Sequence, residues 1–245
     1  MYADPRLFLL FASLMAPAPP PAPRPAVPWD AKVGVSYLAT SGNSETASTG
    51  FDAGFNRPGK AWSTEASASG VSVTRKRRRT AESYNAMGRL KRRLRKSLQL
   101  TVGVRWERNR FAGIESREAT DVSLLWEIRE TPLWKLRALG GLSLGREEPR
   151  GNRPAVDSFG GLLQVSGDVK LSETAAWDGQ VTFFPNFDDS EDYRLNGHFG
   201  VQAALNRHLG LRLGYDVKFD NQPVRGFGTT DTSTTASLVV QLGRK

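Results

Sequence analysis

The chain has 245 residues, no cysteine, 39% apolar residues, a mean hydropathy of −0.42 and a formal net charge of +9. Its length suits one large all-β domain, and the missing cysteines exclude disulfide frameworks, thiol nucleophiles and cysteine-based zinc sites. No window reaches the roughly 18–20 apolar residues of a spanning helix, so any membrane-spanning reading requires a closed sheet, and the basic balance favours anionic partners.

Residues 1–16 run from Met1-Tyr2-Ala3-Asp4-Pro5-Arg6 into an apolar stretch, Leu7 to Ala16. A short apolar segment of this kind predicts a secretory signal peptide, with cleavage between Ala16 and Ala26. The proline-rich run from Pro17 to Pro28 predicts an extended linker with no means of forming a core. Structure is expected to begin at Trp29 or Asp30.

From there the pattern predicts twelve strands, roughly 30–40, 44–56, 61–74, 81–95, 97–110, 118–130, 134–146, 158–171, 175–184, 193–206, 208–220 and 230–242. The clearest is Leu98-Gln99-Leu100-Thr101-Val102-Gly103-Val104-Arg105-Trp106-Glu107, in which every second residue is apolar. Successive strand side chains point to opposite faces, so this segment has one greasy and one wet face, whereas on a helix its apolar residues would wrap right round the cylinder. The same two-faced reading holds for Leu209, Leu211, Leu213, Tyr215, Val217 and Phe219 against Arg212, Asp216, Lys218 and Asp220. It holds again for Leu163, Val165 and Val169 against Gln164, Ser166 and Asp168.

Connections alternate in length. Thr40–Asn43, Arg75–Thr80, Phe111–Arg117, Glu147–Asp157, Pro185–Asp192 and Asn221–Thr229 read as the loops of one end, with tighter links at the other. Short turns on one side and longer loops on the other is the pattern of an outer-membrane barrel, and an even strand count returns both termini to the turn side. Trp62, Trp134 and Trp177 fall beside the short turns, where they predict an aromatic girdle. The expected fold is therefore an antiparallel up-and-down transmembrane β-barrel over residues 29–245, in the outer membrane of a Gram-negative bacterium. A soluble exported ligand-binding barrel, with the apolar faces turned inward, gives the same alternation and stands as an alternative.

Two stretches resemble a known family. One is the opening strand with the turn Ser41, Gly42, Asn43, Ser44, Glu45 and Thr46. The other combines Pro185-Asn186-Phe187-Asp188-Asp189-Ser190-Glu191-Asp192-Tyr193-Arg194 with Tyr215–Pro223 and Thr230-Asp231. In these words and their order the chain is similar to the salt- and acid-induced outer-membrane proteins of Gram-negative bacteria, a family of uncharacterised function. The resemblance implies a membrane barrel, outer-membrane lipids and the outer-membrane assembly machinery as partners, and an envelope or stress role. Barrels of this kind usually end on an aromatic residue read by that machinery, whereas this chain ends Leu242-Gly243-Arg244-Lys245.

The remaining candidates are modest. Glycine and asparagine in the turn 41–46 suit tight hairpin geometry before they suggest a binding lip. The basic run Arg75, Lys76, Arg77, Arg78 and Arg79 is expected in an outer loop, within reach of lipopolysaccharide phosphates. It lacks the motif and interleaved aromatics that nucleic-acid binding would need. The carboxylates of 188–192 lack the spacing of a calcium loop, and no metal or cofactor is expected. His198 on a polar face has Asn196 and Gly200 at the two-residue spacing where a serine nucleophile would be needed, so no catalytic residue is assigned, and a lipid-acting hydrolase is a rival reading. The polar faces carry Arg89, Lys91, Arg93, Arg105, Lys135, Arg137, Arg194, Arg212 and Lys218 against Glu107, Asp121, Glu127, Asp168, Asp178 and Asp216. With His198, these charges either pair into a plug or line a narrow channel that favours anions.

Overall fold

The computed structural model describes residues 29–40, 46–75, 78–151 and 153–244. Twelve strands close into a barrel: β1 (Trp29–Thr40), β2 (Thr46–Arg57), β3 (Trp62–Arg75), β4 (Arg78–Arg95), β5 (Leu98–Asn109), β6 (Ile114–Glu130), β7 (Trp134–Pro149), β8 (Val156–Lys170), β9 (Ala175–Pro185), β10 (Tyr193–Ala204), β11 (Leu209–Asp220) and β12 (Thr230–Arg244). Each strand pairs antiparallel with its sequence neighbours, and β1 closes on β12 from Trp29↔Arg244 to Val35↔Leu238. Closure leaves no unpaired edge, which is the condition for a sheet to reside in lipid. The signal peptide and linker assigned to residues 1–28, and turn residues Ser41 to Glu45, lie outside the described residues.

Apolar faces point outward. Val35 is 59% exposed, Leu144 64% and Leu213 62%, while their polar neighbours turn into the bore. That orientation overturns the alternative in which a soluble barrel buries the apolar set. Tryptophans gather at the short-turn end: Trp62 and Trp134 are exposed there, and Trp29 stacks on Phe55 at 6.3 Å. At the opposite end Tyr193 sits 5.9 Å from both Phe183 and Phe219, and the Trp106 indole donates to Ser116 Oγ at 3.1 Å. Two aromatic bands thus bracket an apolar belt, as interfacial side chains with a greasy body and a polar tip would.

The long-loop end departs from expectation because strands run further than their hydrophobic patterns. β3 reaches Arg75 and β4 starts at Arg78, with Thr74↔Arg79 and Arg75↔Arg78 paired, so Arg75 and residues 78–80 of the predicted basic loop belong to strands. Arg75, Arg78 and Arg79 are strand-end residues; Lys76 and Arg77 lie outside the described residues. The expected loops Phe111–Arg117 and Glu147–Asp157 shrink likewise, since β6 begins at Ile114, β7 extends to Pro149 and β8 begins at Val156. Backbone polar groups continue to need partners beyond the lipid, and the ladder supplies them after the apolar alternation has stopped. Bulges fall near strand ends, between Glu107/Asn109, Ile114/Ser116 and Glu127/Arg129 among others. The last turns the Arg129 guanidinium out over the Trp134 ring at 5.9 Å, re-aiming a side chain as bulges at barrel rims do.

Inside the barrel, one wall is apolar. Leu125, Leu139 and Leu162 are buried on the inner face of β6, β7 and β8, and Phe184 of β9 packs against them. Close approach on this side needs glycine: a Cβ on Gly160 would stand 2.2 Å from the Pro185 carbonyl oxygen, where the β8–β9 pairing continues into the bridge Gly160↔Asn186.

Candidate functional site

Candidate function lies in the bore, where the inward residues of opposite walls meet. Glu107 on β5 and Glu147 on β7 are the cross-strand partners of Arg117 on β6, at 3.6 and 2.5 Å. From β11, six strands away in either direction around the barrel, Lys218 donates to Glu107 Oε1 at 2.6 Å and to Asn85 Oδ1 at 3.1 Å. Two residues on, Asp220 accepts from Arg117 at 3.2 Å. A carboxylate–guanidinium–carboxylate row on one wall is therefore met by an ammonium and a carboxylate from the facing wall. Each charge is neutralised by its neighbours in a low-dielectric setting, where such contacts are stronger than in water. This transverse belt bridges the bore.

A second cluster lies nearer mid-barrel. Arg212 makes two contacts of 2.7 Å to the carboxylate of Asp178, the forked geometry that guanidinium and carboxylate favour. It reaches Asp178 across Gly200, where a Cβ would stand 2.2 Å from Arg212 Nη2. His198 Nδ1 lies 2.7 Å from Asp216 Oδ1, and its Nε2 faces Arg212 at 3.0 Å and Asp178 at 3.5 Å. Both imidazole nitrogens are thus engaged by charged groups. Ser233 Oγ contacts Asp216 rather than the ring, at 3.4 Å, so the hydroxyl stands on the wrong side for a histidine to act as its base.

Between belt and cluster is a cavity of about 360 Å³ bordered by Asp52, Ser67, Ser69, Asn85, Arg105, Glu107, Arg117, Phe184, Arg194, Asn196 and His198. Two guanidiniums use Phe184 as a platform: Arg105 from β5 lies 4.7 Å from the ring centroid, and Arg194 from β10 lies 5.5 Å away. Arg105 also donates to Ser143 Oγ at 3.1 Å and stands 3.7 Å from Asp121. Asp121 is held in turn by Ser123 at 2.9 Å.

Toward the short-turn end the bore carries neighbour-strand pairs. Lys91 meets Glu65 at 2.5 Å, Gln99 donates to Glu127 at 2.7 Å, and Arg137 pairs with Asp168. Lys135 pairs with Glu130 at the rim, and Arg93 is an exposed strand-end residue beside a bulge. Arg89 is buried, and its Nε has no hydrogen-bond partner among the described residues. Of the predicted lumen set, Arg212 and His198 share the mid-barrel cluster, Lys218 joins the belt, Arg105 and Arg194 border the cavity, and Arg89 and Arg137 lie toward the short-turn end.

Sequence reading missed Arg117 and Glu147 because both were assigned to loops. The signal was present, since Arg117-Ala119-Asp121-Ser123 continues the inner alternation of β6 upstream. Phe184 was missed because an inward phenylalanine beside an outward one, Phe183, breaks the two-faced rule.

At the mouth, the segment 221–229 folds over its neighbours. Asn221 donates to the Glu191 carbonyl at 2.9 Å, Gln222 to Asp189 at 3.1 Å, and Arg153 to the Arg225 carbonyl at 3.3 Å. The Phe227 ring rests on Gly113, whose φ of +75° and lack of Cβ admit it. The acidic segment is occupied in the same architecture: Asp188 accepts from the Phe159 amide at 2.9 Å and Asp192 from Asn186 at 2.8 Å. Replacing Phe227 with alanine should free this flap, because polar contacts exposed to water hold little on their own. Tryptic cleavage after Arg225 in the folded protein is expected to become several-fold faster than in the parent; an unchanged rate would mean that the ring does not secure the segment.

Comparison with known proteins agrees with this architecture. A crystal structure of the COG4313 outer membrane channel from Pseudomonas putida F1 superposes with a TM-score of 0.52 at 11% identity, covering 93% of this chain and 100% of that one. At that identity the likeness speaks for the closed barrel alone. In sequence, the chain is 27% identical over 216 residues to the uncharacterized protein YdiY of Escherichia coli K12, covering 86% of this chain and 82% of that relative. The family model described as "Protein of unknown function, DUF481" matches residues 33–242, and the chain belongs to that family.

Proposed function

We propose that the protein is an integral outer-membrane barrel of the Gram-negative envelope, acting as a narrow anion-favouring conduit that its ion-pair belt holds shut in the described conformation. The observation that carries this reading is the pairing of a continuous outward apolar belt with a charged, bridged bore. A barrel built only to occupy the membrane would need neither a cavity nor guanidiniums on an aromatic platform inside it. Anion preference follows from which charges remain available. Glu107 and Asp178 are tied to cationic partners, while Arg194 borders the cavity with no carboxylate at ion-pair distance among the described residues, beside Arg105, which shares its charge with Asp121 at 3.7 Å. The signal-like segment 1–16 supports export, and Arg75, Arg78 and Arg79 fall at the long-loop end, where lipopolysaccharide phosphates would meet them. Insertion of a closed barrel calls on the outer-membrane assembly machinery as a partner. A lipid-acting hydrolase is less well supported, because His198 is held between charged groups.

Two measurements test the proposal. In unheated detergent gels of washed outer membrane, the band should migrate differently from the boiled sample, since a fully paired barrel resists unfolding. In planar bilayers the purified barrel should show small, infrequent conductance steps with a reversal potential displaced toward anions. A soluble protein with unshifted mobility would sink the membrane reading, and cation selectivity would sink the anion preference.

A further inference from the structure

We propose that the mid-barrel cavity is a binding site for a small polyhydroxylated solute bearing one carboxylate, with Arg194 and Arg105 holding the anionic group. Access to the site rests on the conduit reading; the chemistry of the site does not. Most lumen cations are already matched: Arg117, Arg137, Arg212, Lys91 and Lys218 each have a carboxylate within ion-pair distance. Arg194 differs. Its cross-strand neighbours are Phe184 and Asp220, its guanidinium lies over the Phe184 ring, and among the described residues no carboxylate stands within ion-pair distance of it, although Glu107, Glu147 and Asp220 are near enough to act on its charge. A guanidinium lying against an aromatic face keeps its N–H edges free in its own plane, the arrangement that accepts a carboxylate through two parallel hydrogen bonds. Arg105, which also has Asp121 at 3.7 Å and donates to Ser143, reaches the same ring from β5, so both groups are anchored to one platform, itself seated on Leu125, Leu139 and Leu162, and Arg194 is the primary holder of the anion.

The rest of the lining suits hydroxyl groups. Ser67, Ser69, Asn85 and Asn196 border the cavity with donors and acceptors but no charge. Glu107 makes its close contacts with Lys218 and Arg117, at 2.6 and 3.6 Å, and acts on Arg105 and Arg194 only from beyond ion-pair distance. Asp52, also on the lining, lies over Gly34 and opposes a second negative charge on the ligand, so a monoanion is favoured. A volume of about 360 Å³ falls in the range of small-solute sites.

The test is isothermal titration of the full folded barrel in detergent at low ionic strength, with glucuronate, glucose and inorganic phosphate as separate probes. Glucuronate should bind, glucose at least tenfold more weakly, and phosphate more weakly than glucuronate. Arg194→Gln should reduce glucuronate affinity at least tenfold and Phe184→Leu several-fold, with heat-modifiable mobility confirming that each variant is folded. If Arg194→Gln does not fold, Arg194→Lys keeps the charge without the fork and should show the same loss. Equal binding of glucose, phosphate binding as tight as glucuronate, or unchanged affinity in the folded arginine variants would each overturn the proposal. Glucuronate binding without conductance would support the site and remove the conduit; conductance without binding would do the reverse.

Discussion

Replacing Glu107 with glutamine should open the bore. Glutamine keeps the volume and the hydrogen-bonding carbonyl but removes the charge that holds Lys218 across the full width of the barrel. Arg117 retains Glu147 and Asp220, whereas Lys218 loses its close carboxylate and is left with the Arg117 guanidinium, a neutral amide and its cross-strand neighbour Asp231 toward the mouth. Like charges in a partly buried setting repel, and a flexible lysine has the freedom to withdraw toward water. Conductance in planar bilayers is expected to rise several-fold, and anion selectivity should strengthen, since a lumen carboxylate has been removed. The stability cost should be about 2 kcal/mol, between the values for exposed and for fully buried pairs, because the Glu107 and Lys218 side chains are 16% and 28% exposed. Lys218→Met should raise conductance less, as Glu107 keeps Arg117. The double variant should cost less stability than the two single changes predict, because the interaction is shared. Glu107→Gln conducting like the parent would show that the belt does not close the path.

How far the sequence reveals this arrangement depends on which physical rule each residue obeys. The barrel is legible because alternation, turn residues and a closed pairing scheme all point to the same architecture. The inward direction of Arg212 and Lys218 follows from Leu211, Leu213 and Val217 pointing into lipid, a period-two inference from sequence alone. Partners are another matter. Lys218 and Glu107 are 111 residues apart, and the facing of β5 and β11 emerges only once the barrel has closed. Arg117 and Glu147 were hidden because apolar alternation marks the membrane depth of a strand, not its length. The ladder continues past the lipid boundary, where the outward residues become polar and the pattern fades. Phe184 and Leu162 were hidden for the opposite reason: inside a barrel, apolar side chains can pack against one another as well as against lipid. Leu162-Leu163 and Phe183-Phe184 therefore look featureless although their members face opposite ways.

That ambiguity yields the second large prediction, which compares the two apolar surfaces. Val102, Val122 and Leu142 form a cross-strand row on the outer face of β5, β6 and β7, with exposures of 44%, 53% and 55%. On β6 the Trp106 level falls at Glu118, so Val122, four residues further along, lies well inside the apolar belt. Val122→Arg should destabilise the barrel by roughly 2–4 kcal/mol in lipid vesicles, the cost of an arginine on the lipid face at that depth. The loss should shrink in detergent micelles, where water reaches the guanidinium more readily. Three residues on, Leu125 points inward and is 6% exposed, packed with Leu139, Leu162 and Phe184. Leu125→Ala should cost about 2–4 kcal/mol through the cavity it leaves. That loss should be the same in vesicles and micelles, because the site never meets the surrounding medium. It should also loosen the Phe184 platform and so weaken glucuronate binding, which Val122→Arg should leave unchanged in the fraction that folds. Urea unfolding of both variants in both media separates the cases: one loss depends on the bilayer and the other does not. A bilayer-dependent loss at Leu125, or a bilayer-independent one at Val122, would mean that the two faces of β6 have been assigned the wrong way round.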